Sequence, residues 1–186
     1  MSATTLPAAL PTTGTWNVDP IHSTARFAIT HHAIATFRAG FDSISGTFDA
    51  ERGVLSGSVP VENIDLQGVA KFKADLLAER FFDGENHPNL SFVSAELNPD
   101  ADGTVRVEGV LTIKGITKPI SAVGHIRGPI TVTHHDGRES ERLGIDLNTV
   151  IDRREFGMTH NNEYAGGILN LGWDVAIEVA LELTLS

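Results

Sequence analysis

An all-β chain, folded as a closed barrel or as a two-layer sandwich, follows from three features of the sequence. Residues 171–185 alternate without a break: Leu171, Trp173, Val175, Ile177, Val179, Leu181, Leu183 and Leu185 are apolar, with Gly, Asp, Ala, Glu and Thr between them. That is the period of a strand with one dry face, and at ~3.4 Å per residue it reaches about 50 Å, far beyond an ordinary strand. The same period returns in Val105–Ile113 and Leu143–Ile151, whereas helical spacing occurs once. Strands with one apolar and one polar face leave barrel or sandwich, and periodicity alone does not separate them.

In chain order, residues 1–14 are rich in Thr, Ala and Pro and are expected to form a disordered leader, with one folded domain over 15–186. Strands are expected at Trp16–Val18, Ala25–Ile29, Phe37–Phe48, Leu55–Asp65 and Leu90–Leu97, separated by Gly, Pro, Asn and Asp. Between the last two, Val69–Arg80 has Val69, Phe72, Leu76 and Leu77 on one face, the pattern of a short helix that would close one end of a barrel. Val105–Ile113 follows, then the weaker alternation of Ile120, Ala122, Gly124 and Ile126. Asp136-Gly137 reads as a hairpin tip between Ile130–His134 and Leu143–Ile151. The strand count is near eight.

Charge and composition exclude several functions. Lys and Arg total 14 against 24 Asp and Glu, a net charge of -10, with no basic run longer than a dipeptide. This speaks against nucleic acid and anionic membrane surfaces as partners, although net charge is blind to a local apolar lip. With no cysteine there is no disulfide, thiolate nucleophile or cysteine metal site. Met1–Gly14 lacks the basic and apolar parts of a secretory signal, so the cytoplasm is the expected location, or the periplasm or exterior had a signal peptide been removed. No stretch approaches the ~20 apolar residues of a membrane span, so no stable membrane insertion is expected.

On the inferred inner faces, Ala25, Gly109, Ala122 and Gly124 are small, while large aromatics gather at Phe27, Phe41, Phe48, Phe72, Phe81, Phe82 and Phe92. Small inward residues leave room for a ligand. The alternative is that the glycines mark strand bends and the phenylalanines fill the centre. An eight-stranded barrel is compatible with either.

Two phrases, Trp16-Asn17-Val18-Asp19-Pro20-Ile21-His22-Ser23 and Leu111-Thr112-Ile113-Lys114-Gly115-Ile116-Thr117-Lys118-Pro119, carry a family resemblance. With Gly40-Phe41, Gly46-Thr47-Phe48-Asp49, Phe81-Phe82-Asp83 before His87-Pro88, and Arg153-Arg154-Glu155-Phe156-Gly157, the chain from Trp16 to its end resembles the YceI-like family of lipid-binding proteins. The resemblance implies an eight-stranded antiparallel lipocalin-like barrel whose apolar interior holds an isoprenoid chain, a polyprenyl phosphate or a quinone tail. It implies no shared catalytic mechanism.

On that basis the expected tail contacts are Phe27, Ile29, Phe41, Phe48, Phe72, Leu76, Phe81, Phe82, Phe92, Leu111, Ile113 and Trp173. Arg153, which matches the family's Arg before Phe-Gly, is expected at the head group with His31 and His22; its rival role is an ion pair with Asp152 or Glu155. Asp19 and His22 form an acid and base pair on paper, but Pro20 between them points to a kinked strand whose polar groups need local partners. The pairs His31-His32 and His134-His135 lack metal-site spacing, and no metal is expected. One departure stands out: where many family members carry Arg-Asp and then His-Leu pairs before Phe-Phe-Asp, this chain has Phe72-Lys73-Ala74-Asp75-Leu76. The exchange of charge for an aromatic suits a less polar ligand such as a quinone.

Three functions remain open in the sequence. The first is a carrier of an isoprenoid lipid or quinone, with no catalytic residue and no cofactor. The second is an enzyme acting on a polyene in the same pocket through Asp19 and His22. The third is an interaction module with a filled core, which would form a homodimer through a strand edge.

Overall fold

The computed structural model describes residues 9–66 and 70–186. The strands are β1 (Thr15–Val18), β2 (Thr24–His31), β3 (Ala35–Phe41), β4 (Ser45–Asp49), β5 (Val54–Pro60), β6 (Ile64–Asp65), β7 (Asn89–Glu96), β8 (Thr104–Ile113), β9 (Ile116–Thr133) and β10 (Glu139–Asp152). A small separate hairpin, β11 (Glu163–Tyr164) and β12 (Ile168–Leu169), precedes β13 (Leu171–Leu185). Neighbours run in the order β1-β4-β5-β7-β8-β9-β10-β13, and β1 pairs back onto β13 to close an antiparallel barrel of eight strands.

The remaining strands continue strands of that ring. β13 presents one edge to β10 and the other first to β2, through Leu171↔His31 to Ala180↔Thr24, and then to β1, through Leu183↔Val18. So β1 and β2 are one course along β13, interrupted at residues 19–23. β3 and β4 form the next course, broken at 42–44 where Ser43 takes φ 64°, and β5 and β6 the next, broken by a 3₁₀ turn at Val61–Asn63. The breaks are knitted together: the Asp42 N–H donates to the Asn63 carbonyl at 2.9 Å. Phe37–Phe48 and Leu55–Asp65, each expected as one strand, are therefore single courses with a corner in them, the local break bending the strand.

The first corner bears out the kink expected at Pro20. The Asp19 N–H donates to the Glu182 carbonyl at 2.8 Å, and the Ser23 hydroxyl accepts from the Glu182 N–H at 3.0 Å, so a side chain completes the ladder where the backbone bulges. Asp19 accepts from the Arg142 guanidinium, which also donates to Glu182, both at 2.9 Å.

The expected helix is shorter than its sequence pattern. A 3₁₀ turn at Ala70–Phe72 leads into α1 (Lys73–Leu77), and Val69 lies outside the described residues. No side chain caps α1 at its start, and at five residues it is below the length at which helices hold themselves together. The segment that follows folds on itself: the N–H groups of Phe82, Asp83 and Gly84 donate to the carbonyls of Leu76, Ala78 and Leu77. Of the leader expected over 1–14, residues 1–8 lie outside the described residues; at its end Leu10 packs on the core and the Gly14 carbonyl accepts from Ala50 at 3.1 Å.

Where β1 and β4 form the wall, the barrel is solid. Trp16, Phe48, Val105, Val107, Ile126, Leu143, Ile145 and Leu183 are each at most 1% exposed and interlock as a plug. Two glycines expected to leave room are taken up by packing. A Cβ on Gly124 would stand 1.7 Å from the Asp146 carbonyl oxygen, so this glycine lets β9 approach β10, and a Cβ on Gly109 would lie 2.5 Å from the Phe92 ring. Only Ala25 and Ala122, of the four small residues, border open space.

Candidate functional site

Above the plug, the wall passes to β2 and β3 and the interior opens into a cavity of about 240 Å³. One water needs roughly 10–15 Å³ measured in this way, so the space is far larger than a single trapped water requires. Almost no polar atom faces it. The inward rows supply the wall: Val175, Ile177 and Val179 on β13, Leu147 and Ile151 on β10, Ile120 and Ala122 on β9. Each row is one side of the two-residue alternation, since successive strand side chains point to opposite faces.

Nine of the expected tail contacts line this cavity: Phe27 and Ile29 from β2, Phe41 from β3, Leu76 from α1, Phe81 and Phe82 from the following segment, Phe92 from β7, and Leu111 and Ile113 from β8. Phe41 joins wall to lid, with ring centroids 5.8 Å from both Phe27 and Phe82. α1 and residues 78–87 lie across the upper end, and the Lys114 ammonium on the β8–β9 turn donates to the Glu79 carbonyl.

Three expected contacts lie elsewhere. Phe48 is wholly buried in the plug beside Trp16, because its strand pairs with β1 in the solid half. Phe72 is 49% exposed with the Lys71 ammonium 5.0 Å from its ring centroid; the shortness of α1 turns it out of the face that Leu76 occupies. Trp173 sits at the irregularity in β13 between Leu171 and Val175, off the cavity, with the Arg153 and Arg154 guanidinium carbons 4.5 and 5.0 Å from its ring.

Of the three head-group residues, Arg153 alone borders the cavity. It is 3% exposed and forms no ion pair among the described residues; Asp152 pairs with Arg154 instead. Its Nε donates to the Gly172 carbonyl at 2.9 Å, and its Nη1 donates to the carbonyls of Met158 at 2.5 Å and His160 at 3.0 Å. Nη2 is buried with no partner. Burial pushes the Arg153 pKa down while the neighbouring Asp152 charge holds it up, and an arginine remains a cation throughout the physiological range. One cationic donor group thus stands unspent in the upper wall.

His31 ends β2, its ring stacked on His32 at 3.8 Å between centroids, away from the lining. His22 is further removed: its side chain is 58% exposed on the outer wall, 3.0 Å from Asp19. Asp19, His22 and Glu182 hold ligand atoms within 4.8 Å of one another, but the Arg142 guanidinium already bridges the two carboxylates. The acid and base pair is therefore the knot of a strand corner outside the cavity. The sequence reading missed Phe37, Leu55, Val59 and Met158 as lining; Phe37 was detectable because it is in phase with Phe41 on β3.

A single antiparallel barrel, plugged at one end and apolar and roomy at the other, is a lipocalin-like architecture. The chain belongs to the YceI-like domain family, whose model matches residues 16–185. A UPF0312 protein of Staphylococcus epidermidis is 24% identical over 175 residues, 91% of this chain and 97% of the relative. Among solved structures, BcnA of Burkholderia cenocepacia superposes with a TM-score of 0.70 at 20% identity, over 89% of this chain and 98% of BcnA. A polyisoprenoid binding domain from Saccharophagus degradans, implicated in plant cell wall breakdown, gives 0.71 at 14% identity, over 92% and 98%. At such identities the structural likeness establishes the shared barrel.

Proposed function

We propose that the protein binds and carries an isoprenoid lipid, its tail in the apolar cavity and its oxygen-bearing head at Arg153, without altering it chemically. The observation that carries this reading is the cavity itself: a walled apolar space with one buried, partly unspent guanidinium on its border. An apolar tube rewards length, at ~0.8 kcal/mol per buried methylene, and needs no matched polar groups along it. The polyisoprenoid binding domain with the same barrel supports an isoprenoid over other apolar chains.

A quinone suits the site better than a polyprenyl phosphate. Three of the five Arg153 N–H donors serve main-chain carbonyls, so no two-pronged fork remains for a phosphate. Arg154, the neighbouring cation, is committed to Asp152. One donor group polarising one carbonyl is a balanced pairing, whereas a phosphate drawn inside the apolar chamber would meet Arg153 as its one cation there. Titration of the delipidated protein with isoprenoid quinones of increasing tail length tests the reading. Affinity should climb with each unit and then level off when the cavity is full. Affinity independent of tail length would remove the tail from the cavity and end the proposal.

A further inference from the structure

The end of the barrel that carries the lid gathers five exposed large apolar side chains, while others, Ile21, Val123 and Val150 among them, lie on the first corner and the outer wall. Ile34, at the tip between β2 and β3, is 88% exposed; Phe72 beside α1 is 49% exposed, Ile116 at the β8–β9 turn 36%, and Tyr164 and Ile168 on the small hairpin 49% and 42%. These come from separate segments, yet contacts place them around one opening. The His32 N–H donates to the Asn170 carbonyl at 3.0 Å and its ring meets Tyr164 edge-on at 5.1 Å. The Lys114 ammonium reaches the Glu79 carbonyl, and Ile116 lies close against Gly157, just past Arg153. Exposed apolar side chains scattered singly need no explanation. Hairpin tips and a lid that each raise one around the mouth of an apolar cavity do.

The lysines follow the same distribution. Every lysine of the chain, Lys71, Lys73, Lys114 and Lys118, belongs to the lid or to the β8–β9 turn region. Two acids of this end are tied to arginines, Asp75 to Arg80 and Asp152 to Arg154. Glu79, Asp83, Glu85, Glu155, Glu163 and Asp174 also lie here, so eight acids face seven lysines and arginines at the mouth, while the wall and far end hold most of the acidic surplus behind the net charge of -10. An apolar side chain with an ammonium alongside, as in Lys71 over Phe72, is the pairing a membrane interface accepts: the ring enters the acyl boundary and the amine reaches headgroup phosphates.

We propose that this end docks transiently on the surface of a phospholipid bilayer, so that cargo passes between membrane and cavity without crossing water. The proposal rests on the carrier reading above. Docking answers a physical difficulty of that reading, since a free tail in water would expose every methylene at ~0.8 kcal/mol each. The acidic body, repelled by anionic lipid, turns the mouth toward the surface. A protein partner is the rival occupant; the combination of lysines with separate protruding tips around a lipid-sized opening favours the bilayer.

Two measurements on the full chain test this. In flotation with phosphatidylcholine vesicles, with and without phosphatidylglycerol, the protein should associate, and more with the anionic vesicles. An Ile34→Asp, Phe72→Asp double variant should lose association by about tenfold or more, and a Lys71→Gln, Lys73→Gln, Lys118→Gln variant should lose the preference for anionic lipid. Neither Ile34 nor Phe72 lines the cavity, so both variants should load a detergent-dispersed short-tail quinone like the wild type. With long-tail quinone held in the vesicles, the transfer rate should rise with vesicle concentration and fall in the double variant. A rate independent of vesicle concentration, absence of flotation with either vesicle, or variants indistinguishable from wild type would overturn docking. Failure of the wild type to load from detergent would instead overturn the carrier reading.

Discussion

Ala122→Leu separates a cavity from a packed core by the sign of its effects. Ala122 is 5% exposed, stands opposite Val107 on β8, and borders the cavity. Leucine adds three carbons there. Projecting into open space, they gain up to about 2.4 kcal/mol at ~0.8 per carbon. For a chain of this size that is a rise in Tm of about 5–10 °C. The same carbons take the place of about three ligand methylenes, weakening binding by a similar free energy, about 60-fold in Kd. In a filled interior the substitution would instead cost about 1–3 kcal/mol through overpacking. Thermal unfolding of the delipidated protein and a quinone titration of the same sample read both effects. A variant that is destabilised, or that binds long-tail quinone unchanged, would refute the placement of the cavity. Gly124→Leu is unsuitable for this purpose, because its side chain would strike the β10 backbone and not enter the chamber.

Arg153→Met removes donors from three main-chain carbonyls at once and should destabilise by about 3 kcal/mol or more, measured by urea unfolding; Arg153→Lys should recover little, since one ammonium cannot reproduce the fork and its stacking on Trp173. Phe48→Ala should cost about 3–5 kcal/mol in the same assay while the folded fraction binds ligand normally, because Phe48 belongs to the plug. At the strand corner, the hydrogen bond with His22 chiefly holds the Asp19 carboxyl at about 2, against the usual 3.8, with help from the Ile21 N–H and Arg142, and the same bond raises the His22 pKa above 6.5. The Asp19 contribution to stability is present above pH 3.8 and lost as pH falls through about 2; the His22 contribution is present below pH 6.5 and lost as pH rises through its raised pKa. A proton NMR titration should therefore find the His22 midpoint above 6.5 and find it returned toward that value in Asp19→Asn.

The wall of the barrel was legible because it repeats every two residues, and β13 runs over the same Leu171–Leu185 that its alternation marks. The corners were marked only by a slip of one residue in the apolar phase, from Phe37, Ala39 and Phe41 to Ile44 and Phe48, and from Leu55 and Val59 to Ile64 and Leu66, which reading each stretch as one strand passes over; Pro20 alone announced its own. Phe27, Phe41 and Phe92 were correctly assigned inward for the same reason. Phe48 was assigned to the cavity because alternation gives the side of a residue and not its height, and the boundary between plug and cavity lies along the barrel axis. Phe72 failed for a different reason: the helical spacing of 69–80 suggested a continuous face, but the chain spends only Lys73–Leu77 as α-helix. The role of Arg153 was half visible. Its position before Phe156-Gly157 drew attention to it, while its three carbonyl partners come from Met158, His160 and Gly172, which only folding brings together.

The central claim is that the apolar chamber holds an isoprenoid lipid. Native mass spectrometry of freshly purified protein, followed by solvent extraction and identification of what is released, tests it directly. One isoprenoid lipid per barrel is expected, a quinone before a prenyl phosphate, displaced by Ala122→Leu. Protein that carries no lipid and takes up neither added quinones nor prenyl phosphates would contradict it.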